Sequence, residues 1–187
     1  MIVTGDENGD LSIYVYDGQN YTWHSTTNFA TDIRSIKIAN NSNLIVFLTW
    51  NPQNKIYVLE KTSTYVYAEA QSFSQVPQAM IDMDMTSDHQ FLAYGTVWPG
   101  ILVIYQHDGS QFQHLQTISG VATHNIHFVE ITDDHEVIVM GSADGYVYVF
   151  EYDGSLFNHA HSIAEPSGDP IRGLAITENH KNIYIGG

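Results

Sequence analysis

The sequence predicts an all-β fold built from repeated antiparallel units, and three observations support this prediction. Short apolar runs rich in β-branched and aromatic residues alternate with turn residues along the whole chain. No stretch shows the apolar period of a helix. The turns also recur at a nearly constant spacing, which indicates that one structural unit is repeated.

The clearest apolar run covers residues 146–150, and an Asp-Gly pair lies on each side of it, at Asp144-Gly145 and Asp153-Gly154. The run contains only β-branched and aromatic residues, which suit a pleated and largely buried surface. Asp-Gly supplies the positive φ that tight hairpin turns need. The run is therefore predicted to be one strand of an antiparallel meander.

The same pattern repeats along the chain. The turns that precede the equivalent runs lie at intervals of 45, 46 and 45 residues, at Gly9, Asn54, Gly100 and Gly145. Each period contains four short apolar runs, which in the last complete unit cover residues 127–131, 137–141, 146–151 and 156–163. Four strands in about 45 residues is the size of one β-propeller blade. We therefore predict a β-propeller made of four-stranded antiparallel blades.

The repeats resemble those of the WD40 family. Residues 33–38 and 171–176 look like the innermost strand of a blade, and residues 139–145 look like the next strand and its turn. This resemblance implies that strand one of each blade is innermost and strand four outermost. It also implies that the turns between strands two and three share one face with the connections between blades. We call this the top face.

The chain is predicted to form a single propeller segment, residues 1–187, of about four WD40-like repeats. It begins and ends in the second strand of a blade. This phasing favours a segment of a larger propeller, while pairing with a second copy and closure as four blades remain open alternatives.

Composition limits the classes of partner. The formal charge is −15 and the chain has only six Lys and Arg residues, so nucleic acids and anionic membranes are disfavoured. No apolar run has the length of about 18 residues that a membrane helix needs, so no membrane insertion is expected. Cysteine is absent, which removes disulfides and thiolate metal sites. We expect a soluble protein, with the cytoplasm slightly favoured.

The two arginines of the chain, Arg34 and Arg172, occupy the same repeat position, second in the innermost strand, and His127 is the equivalent residue in another blade. This position is expected near the top of the central channel. An arginine there could bind an acidic partner or ligand, because its guanidinium matches carboxylates and phosphates. The alternative is a structural ion pair with a neighbour such as Asp32 or Asp169.

Two tryptophans depart from the repeat in top-face turns. Trp50 and Trp98 replace or lengthen turns that are simple in the equivalent blades, where Asp144-Gly145 is the regular form. Departures from a repeat often carry function, so Trp50 and Trp98 join the predicted partner-binding residues, and Asp144 of the equivalent turn is included with them. Packing over a blade edge is the alternative for the tryptophans. The sequons at Asn20 and Asn40 predict glycosylation if the protein is secreted.

No catalytic constellation or cofactor motif is visible in the sequence. The ten histidines include members that recur once per repeat, which is typical of turn elements, so no metal site is predicted. We therefore predict a non-catalytic scaffold that binds other proteins, and not an enzyme. One alternative is self-assembly into a dimer or filament through open blade edges, with further copies of the chain as partners. The second alternative is a hydrolase-like propeller enzyme.

Overall fold

The computed structural model describes residues 1–50, 53–74, 77–177 and 179–187. In this part of the chain every regular element is a β-strand, and none of it forms a helix that could cross a membrane. The all-β prediction is confirmed, as are the antiparallel four-stranded units. The contacts divide the chain into two units, Met1–Ala79 and Met80–Gly187, which are described separately.

Unit 1 contains two meander sheets in which each strand pairs with its neighbours in sequence. The first sheet is β1(Ile2–Gly5), β2(Asp10–Tyr16) and β3(Tyr21–Asn28). The second is β4(Ile33–Ile38), β5(Leu44–Thr49), β6(Ile56–Ser63) and β7(Val66–Phe73). Strand β5 is buried on both faces, as expected for a continuous apolar run between two neighbours. An aromatic cluster of Phe29, Phe47 and Tyr57 joins the two sheets.

Unit 2 contains two further four-stranded sheets and a two-stranded one. The first is β8(Met80–Met85), β9(Phe91–Thr96), β10(Leu102–His107) and β11(Phe112–Ile118). The second is β12(Ile126–Ile131), β13(Val137–Ser142), β14(Tyr146–Tyr152) and β15(Phe157–Ala164). The last pair is β16(Gly173–Ile176) and β17(Ile183–Gly186). The first strands of these sheets lie side by side, because β12 packs against both β8 and β16.

Recurring glycines set the distance between consecutive sheets. A Cβ atom on Gly141 would lie 2.6 Å from the Cγ2 of Ile171, and one on Gly95 would lie 2.4 Å from the Cγ2 of Ile126. Ile126 is the first residue of the next sheet and Ile171 lies two residues before β16, and both are fully buried. The glycine spacing noticed in the sequence therefore reflects close packing of one sheet on the next, with no room for a side chain.

The hairpin turns follow the chemistry that the Asp-Gly pairs predict. Gly109 and Gly154 have φ angles of 98° and 95°, which L-residues with a side chain seldom adopt. The preceding carboxylates, Asp108 and Asp153, accept hydrogen bonds from the amides two and three residues ahead. These bonds keep the pKa of both carboxyls well below the usual range.

Candidate functional site

The repeat position that holds the two arginines and His127 has an unusual backbone. In β12 the pairing with β13 shifts register between Ile126 and Phe128, so His127 is the extra residue of a β-bulge. The equivalent shift in β8 leaves Ile81 as the extra residue, and in β4 it leaves Arg34. A bulge turns one side chain away from the regular alternation and often occurs beside functional sites. The residue at this repeat position therefore leaves the regular strand pairing, a feature that the sequence did not reveal.

A hydrogen bond between two sheets holds the His127 ring against Ile171. Its Nδ1 lies 3.2 Å from the carbonyl oxygen of Ile171, the residue directly before Arg172. A carbonyl oxygen only accepts, so Nδ1 carries a proton and Nε2 of the neutral ring keeps its lone pair. The backbone amide of Arg172 donates to Gly186 at 2.7 Å, and its side chain is exposed. The structure thus holds the His127 ring against the residue that precedes Arg172, and Arg172 lies directly before β16.

Two carboxylates of β8 hold the strand that carries His127. Oδ2 of Asp82 accepts a hydrogen bond from the amide of Val129 at 3.1 Å, and Oδ2 of Asp84 accepts one from the amide of Ile131 at 2.9 Å. Asp84 is buried, with 7% of its surface exposed. Strands β8 and β12 belong to different sheets, and these two hydrogen bonds connect them. The bonds fix the position of β12 relative to β8.

Asp144 has a structural role in the top-face turn. Its Oδ2 accepts hydrogen bonds from the amide and hydroxyl of Thr123 at 2.8 and 3.0 Å and from the hydroxyl of Tyr148 at 2.9 Å. Partial burial alone would raise the pKa of this carboxyl, but the hydrogen bonds lower it below the usual range. Burial and the bond to Asp144 raise the pKa of Tyr148. Asp144 positions the segment before β12, and its predicted role in partner binding stays a prediction.

Trp98 projects from the neighbouring turn and is 69% exposed. Its amide donates to the side-chain oxygen of Asn125 at 2.7 Å, and the carbonyl of Asn125 accepts from Ala143 at 2.9 Å. The peptide bond between Trp98 and Pro99 is cis. Asn125, two residues before His127, is thus bonded to the turn that contains Trp98 and to the turn that contains Ala143. The exposed indole belongs to the first of these turns. The predicted contact of Trp98 with a partner remains a prediction.

In unit 1, Arg34 and Trp50 belong to one local cluster. The guanidinium of Arg34 forms an ion pair with Asp32 and lies 4.3 Å from the centre of the Trp50 ring. The amide of Trp50 donates to the carbonyl of Asp32 at 2.8 Å. This agrees with the structural alternative for Arg34, although its side chain is still 45% exposed. The rest of the Trp50 turn, Asn51 and Pro52, lies outside the described residues.

Both sequon asparagines, Asn20 and Asn40, are exposed in connections between strands. Asn20 lies in the turn before β3, where its amide donates to Asp17. Asn40 follows β4. Their positions are compatible with modification, and glycosylation stays a prediction.

Sequence reasoning missed a histidine–aspartate ladder between consecutive hairpins of unit 2. Nε2 of His135 lies 3.0 Å from a carboxylate oxygen of Asp88, and Nε2 of His180 lies 2.8 Å from Asp134. Both histidines have positive φ, and the ring of each contacts a carboxylate of the preceding hairpin. The regular spacing of these residues was the available signal, but it was interpreted as turn chemistry alone.

One group in this ladder has the residue types of a metal site. Ligand atoms of Asp134, Glu136 and His180 lie within 4.8 Å of one another. However, a carboxylate oxygen of Asp134 lies 2.8 Å from Nε2 of His180, whereas one of Glu136 lies 3.7 Å from Nδ1. The two carboxylates therefore approach different nitrogens, and the three groups do not converge on one point as metal ligands do.

No protein-family profile matches the chain, and no curated protein matches its sequence. Among solved structures, the chain is similar to a propeller-like protein from Bacteroides fragilis that is described as a proposed 6-phosphogluconolactonase. The TM-score is 0.77 at 11% identity, and the similarity covers 95% of this chain and 57% of that one. The chain thus spans little more than half the length of this neighbour. At such low identity the likeness shows a shared propeller fold.

This neighbour corrects the prediction of a non-catalytic scaffold and the prediction that the chain is not an enzyme. A protein with the same fold is described as a proposed enzyme, so this fold gives no support to a non-catalytic role. The non-catalytic prediction depended on the lack of a nucleophile next to a base in the sequence. A hydrolase that uses water as its nucleophile needs no such pair, because one oriented base and one cation can be sufficient.

Proposed function

We propose that the chain is part of a propeller hydrolase that opens a lactone ring by adding water. The observation that carries this proposal is the hydrogen bond from His127 to the carbonyl of Ile171, which orients the imidazole at the residue before Arg172. The description of the structural neighbour supports a lactone as the substrate class. Because the chain spans 57% of that neighbour, the activity of the whole protein is part of the proposal.

His127 acts as the general base. Its Nδ1–H is engaged by the Ile171 carbonyl, so Nε2 takes a proton from water while the water oxygen bonds to the lactone carbonyl carbon. The carbonyl oxygen becomes an oxyanion. The carbonyl then re-forms, the ring C–O bond breaks, and the imidazolium returns the proton to the leaving alkoxide. The product is a hydroxy acid, which loses its acidic proton to solvent.

Arg172 stabilises negative charge during this reaction. Its guanidinium is a fixed cation, one of only six Lys and Arg residues in a chain of charge −15. A cation in an otherwise acidic surface attracts the developing oxyanion or an anionic group of the substrate. Asp82 and Asp84 act indirectly. Their hydrogen bonds to β12 fix the position of the strand that carries His127.

The experiment is to measure hydrolysis of δ-gluconolactone and its 6-phosphate by pH-stat, with the spontaneous rate subtracted. We expect turnover of at least one lactone above the spontaneous rate. His127→Gln should reduce the rate by about 10²–10⁴-fold, the usual contribution of a general base. His159→Gln changes an exposed histidine on β15 and is the matched control.

Arg172 distinguishes the two substrates. If the guanidinium binds the substrate phosphate, Arg172→Gln raises KM for the phosphorylated lactone alone. If it stabilises the oxyanion, the variant lowers kcat for both lactones. A rate no higher than the spontaneous one, or a His127→Gln variant as active as the wild type, would refute the proposal.

We also propose that the repeats are WD40-like in strand order, as their innermost strands suggest. The proposals about partners, namely other proteins or further copies of the chain, stay open to test.

A further inference from the structure

A cavity of about 320 Å³ lies in unit 1, between the outer strands β3 and β7. Leu11 and Leu59 contribute to its apolar floor, Tyr65 and Tyr67 to its walls, and Glu69 carries the one carboxylate of its lining. A volume of this size is at the lower end of the range for small-molecule sites. The cavity is remote in sequence from the lactonase site proposed above, and the inference is independent of that function.

The equivalent boundary in unit 2 is closed by an amide side chain. Nε2 of Gln116 donates to the carbonyl of Phe157 at 3.0 Å, and its Oε1 accepts from the amide of Phe157 at 2.9 Å. Gln116 lies on the outer strand β11, and Phe157 begins the outer strand β15 of the next sheet. The primary amide thus satisfies both main-chain groups of one residue on the neighbouring strand.

Strand register identifies the corresponding residues in unit 1. Gln116 pairs with Ile104 directly before a bulge, and Ser25 pairs with Ile13 directly before the equivalent bulge. Phe157 pairs with the last residue of β14, and Tyr67 pairs with Lys61 at the equivalent position of β6. A serine therefore stands where unit 2 has the glutamine, and its side chain lacks the ethylene and amide that would cross the boundary.

The tyrosine at the second position also leaves space. Phe157 is buried and packs against Phe91 in unit 2. Tyr67 instead directs its hydroxyl to the carbonyl of Ser42 at 2.6 Å. Unit 1 therefore has Ser25 where unit 2 has Gln116, and Tyr67 where unit 2 has Phe157. Both differences leave the space between β3 and β7 open, over an apolar floor.

We propose that this cavity binds a small neutral molecule that carries a primary carboxamide on an apolar group. The apolar part fills the space over Leu11 and Leu59, and the amide takes the place that Gln116 occupies in unit 2, against the main chain of Tyr67. A carboxylate in the same place is disfavoured, because Glu69 lines the cavity and the chain carries a charge of −15. Neutral amides are therefore selected over acids of the same shape.

The probe is benzamide, with benzoate as the charged isostere and toluene as the apolar one, titrated into the full chain by ¹H–¹⁵N NMR. We expect benzamide to shift the amide resonance of Tyr67 with millimolar affinity, and benzoate to bind at least tenfold more weakly. Ser25→Gln supplies the missing side chain and should abolish the benzamide shift. Ser25→Ala keeps the cavity and should bind as the wild type does.

Three results would overturn the proposal: no benzamide shift at Tyr67, equal binding of benzoate, or equal binding of toluene. The wild-type comparison needs no variant, so it stands even if Ser25→Gln folds poorly. Unchanged benzamide binding by a folded Ser25→Gln variant would also contradict the proposed position of the amide.

Discussion

Substitution of Gly141 by alanine tests the packing that connects the fold to the proposed site. The added Cβ would lie 2.6 Å from the Cγ2 of Ile171, whereas ordinary contacts begin near 3.4 Å. Ile171 is fully buried and β-branched, so its side chain has few alternative rotamers with which to move aside. The strand that begins after Ile171 must shift instead.

The magnitude follows from two opposing effects. Overpacking of a well-filled core costs about 1–3 kcal/mol. Alanine also restricts the unfolded chain, which returns about 0.4–1 kcal/mol where the backbone conformation is compatible. We therefore expect the free energy of unfolding to fall by about 1–2 kcal/mol, measured by urea denaturation followed by circular dichroism. Gly173→Ala is the control, because nothing lies within 4 Å of its added Cβ.

The same variant should also reduce lactone hydrolysis. The carbonyl of Ile171 accepts the hydrogen bond that orients His127, so displacement of Ile171 changes the direction of Nε2. Gly173→Ala leaves this contact in place and should retain activity. If Gly141→Ala were as stable and as active as Gly173→Ala, the close packing of Gly141 on Ile171 would not control the site, and the reasoning would be wrong.

Two further predictions concern contacts between sheets in unit 2. Burial raises the pKa of Asp88, but hydrogen bonds, including one from His135, bring it below the ordinary value, so its stabilisation is present at neutral pH and lost as pH falls below about 4. Urea titrations should show a stability gap between wild type and Asp88→Asn that is present near pH 7 and closes in acid, and a gap that does not change with pH would contradict this prediction. Gln116→Ala leaves the main-chain groups of Phe157 without their amide partner and should lower the free energy of unfolding by about 1–3 kcal/mol. An unchanged urea midpoint would show that water replaces the amide fully.

Local sequence was sufficient to predict the meander, because strand and turn preferences act over a few residues. The Asp153-Gly154 pair specifies its hairpin through a side chain that accepts nearby amides and a glycine with positive φ. The once-per-repeat glycines were recognised as landmarks, but their cause was not. Gly141 is close in space to Ile171, 30 residues later, and only the packed sheets show that contact.

The features that sequence could not predict depend on register and on contacts between sheets. The bulge at His127 arises from how β12 pairs with β13, and no residue type in β12 signals it. The pairing of His135 with Asp88 requires the distance between two hairpins that are 47 residues apart. Likewise, Ser25 looks unremarkable in an exposed strand until the strand register shows that it corresponds to Gln116 of unit 2.

The bulge position explains how a regular repeat can hold a specific site. The backbone shift recurs in β4, β8 and β12 whether the extra residue is Arg34, Ile81 or His127, so the fold does not depend on that side chain. A position at which the repeat accepts different residue types is free to change for function. Asp144 is the opposite case, since its carboxylate already accepts three hydrogen bonds at Oδ2 and its replacement would loosen the turn. Variation at the bulge should therefore alter the chemistry of the propeller, whereas variation at Asp144 should first alter its stability.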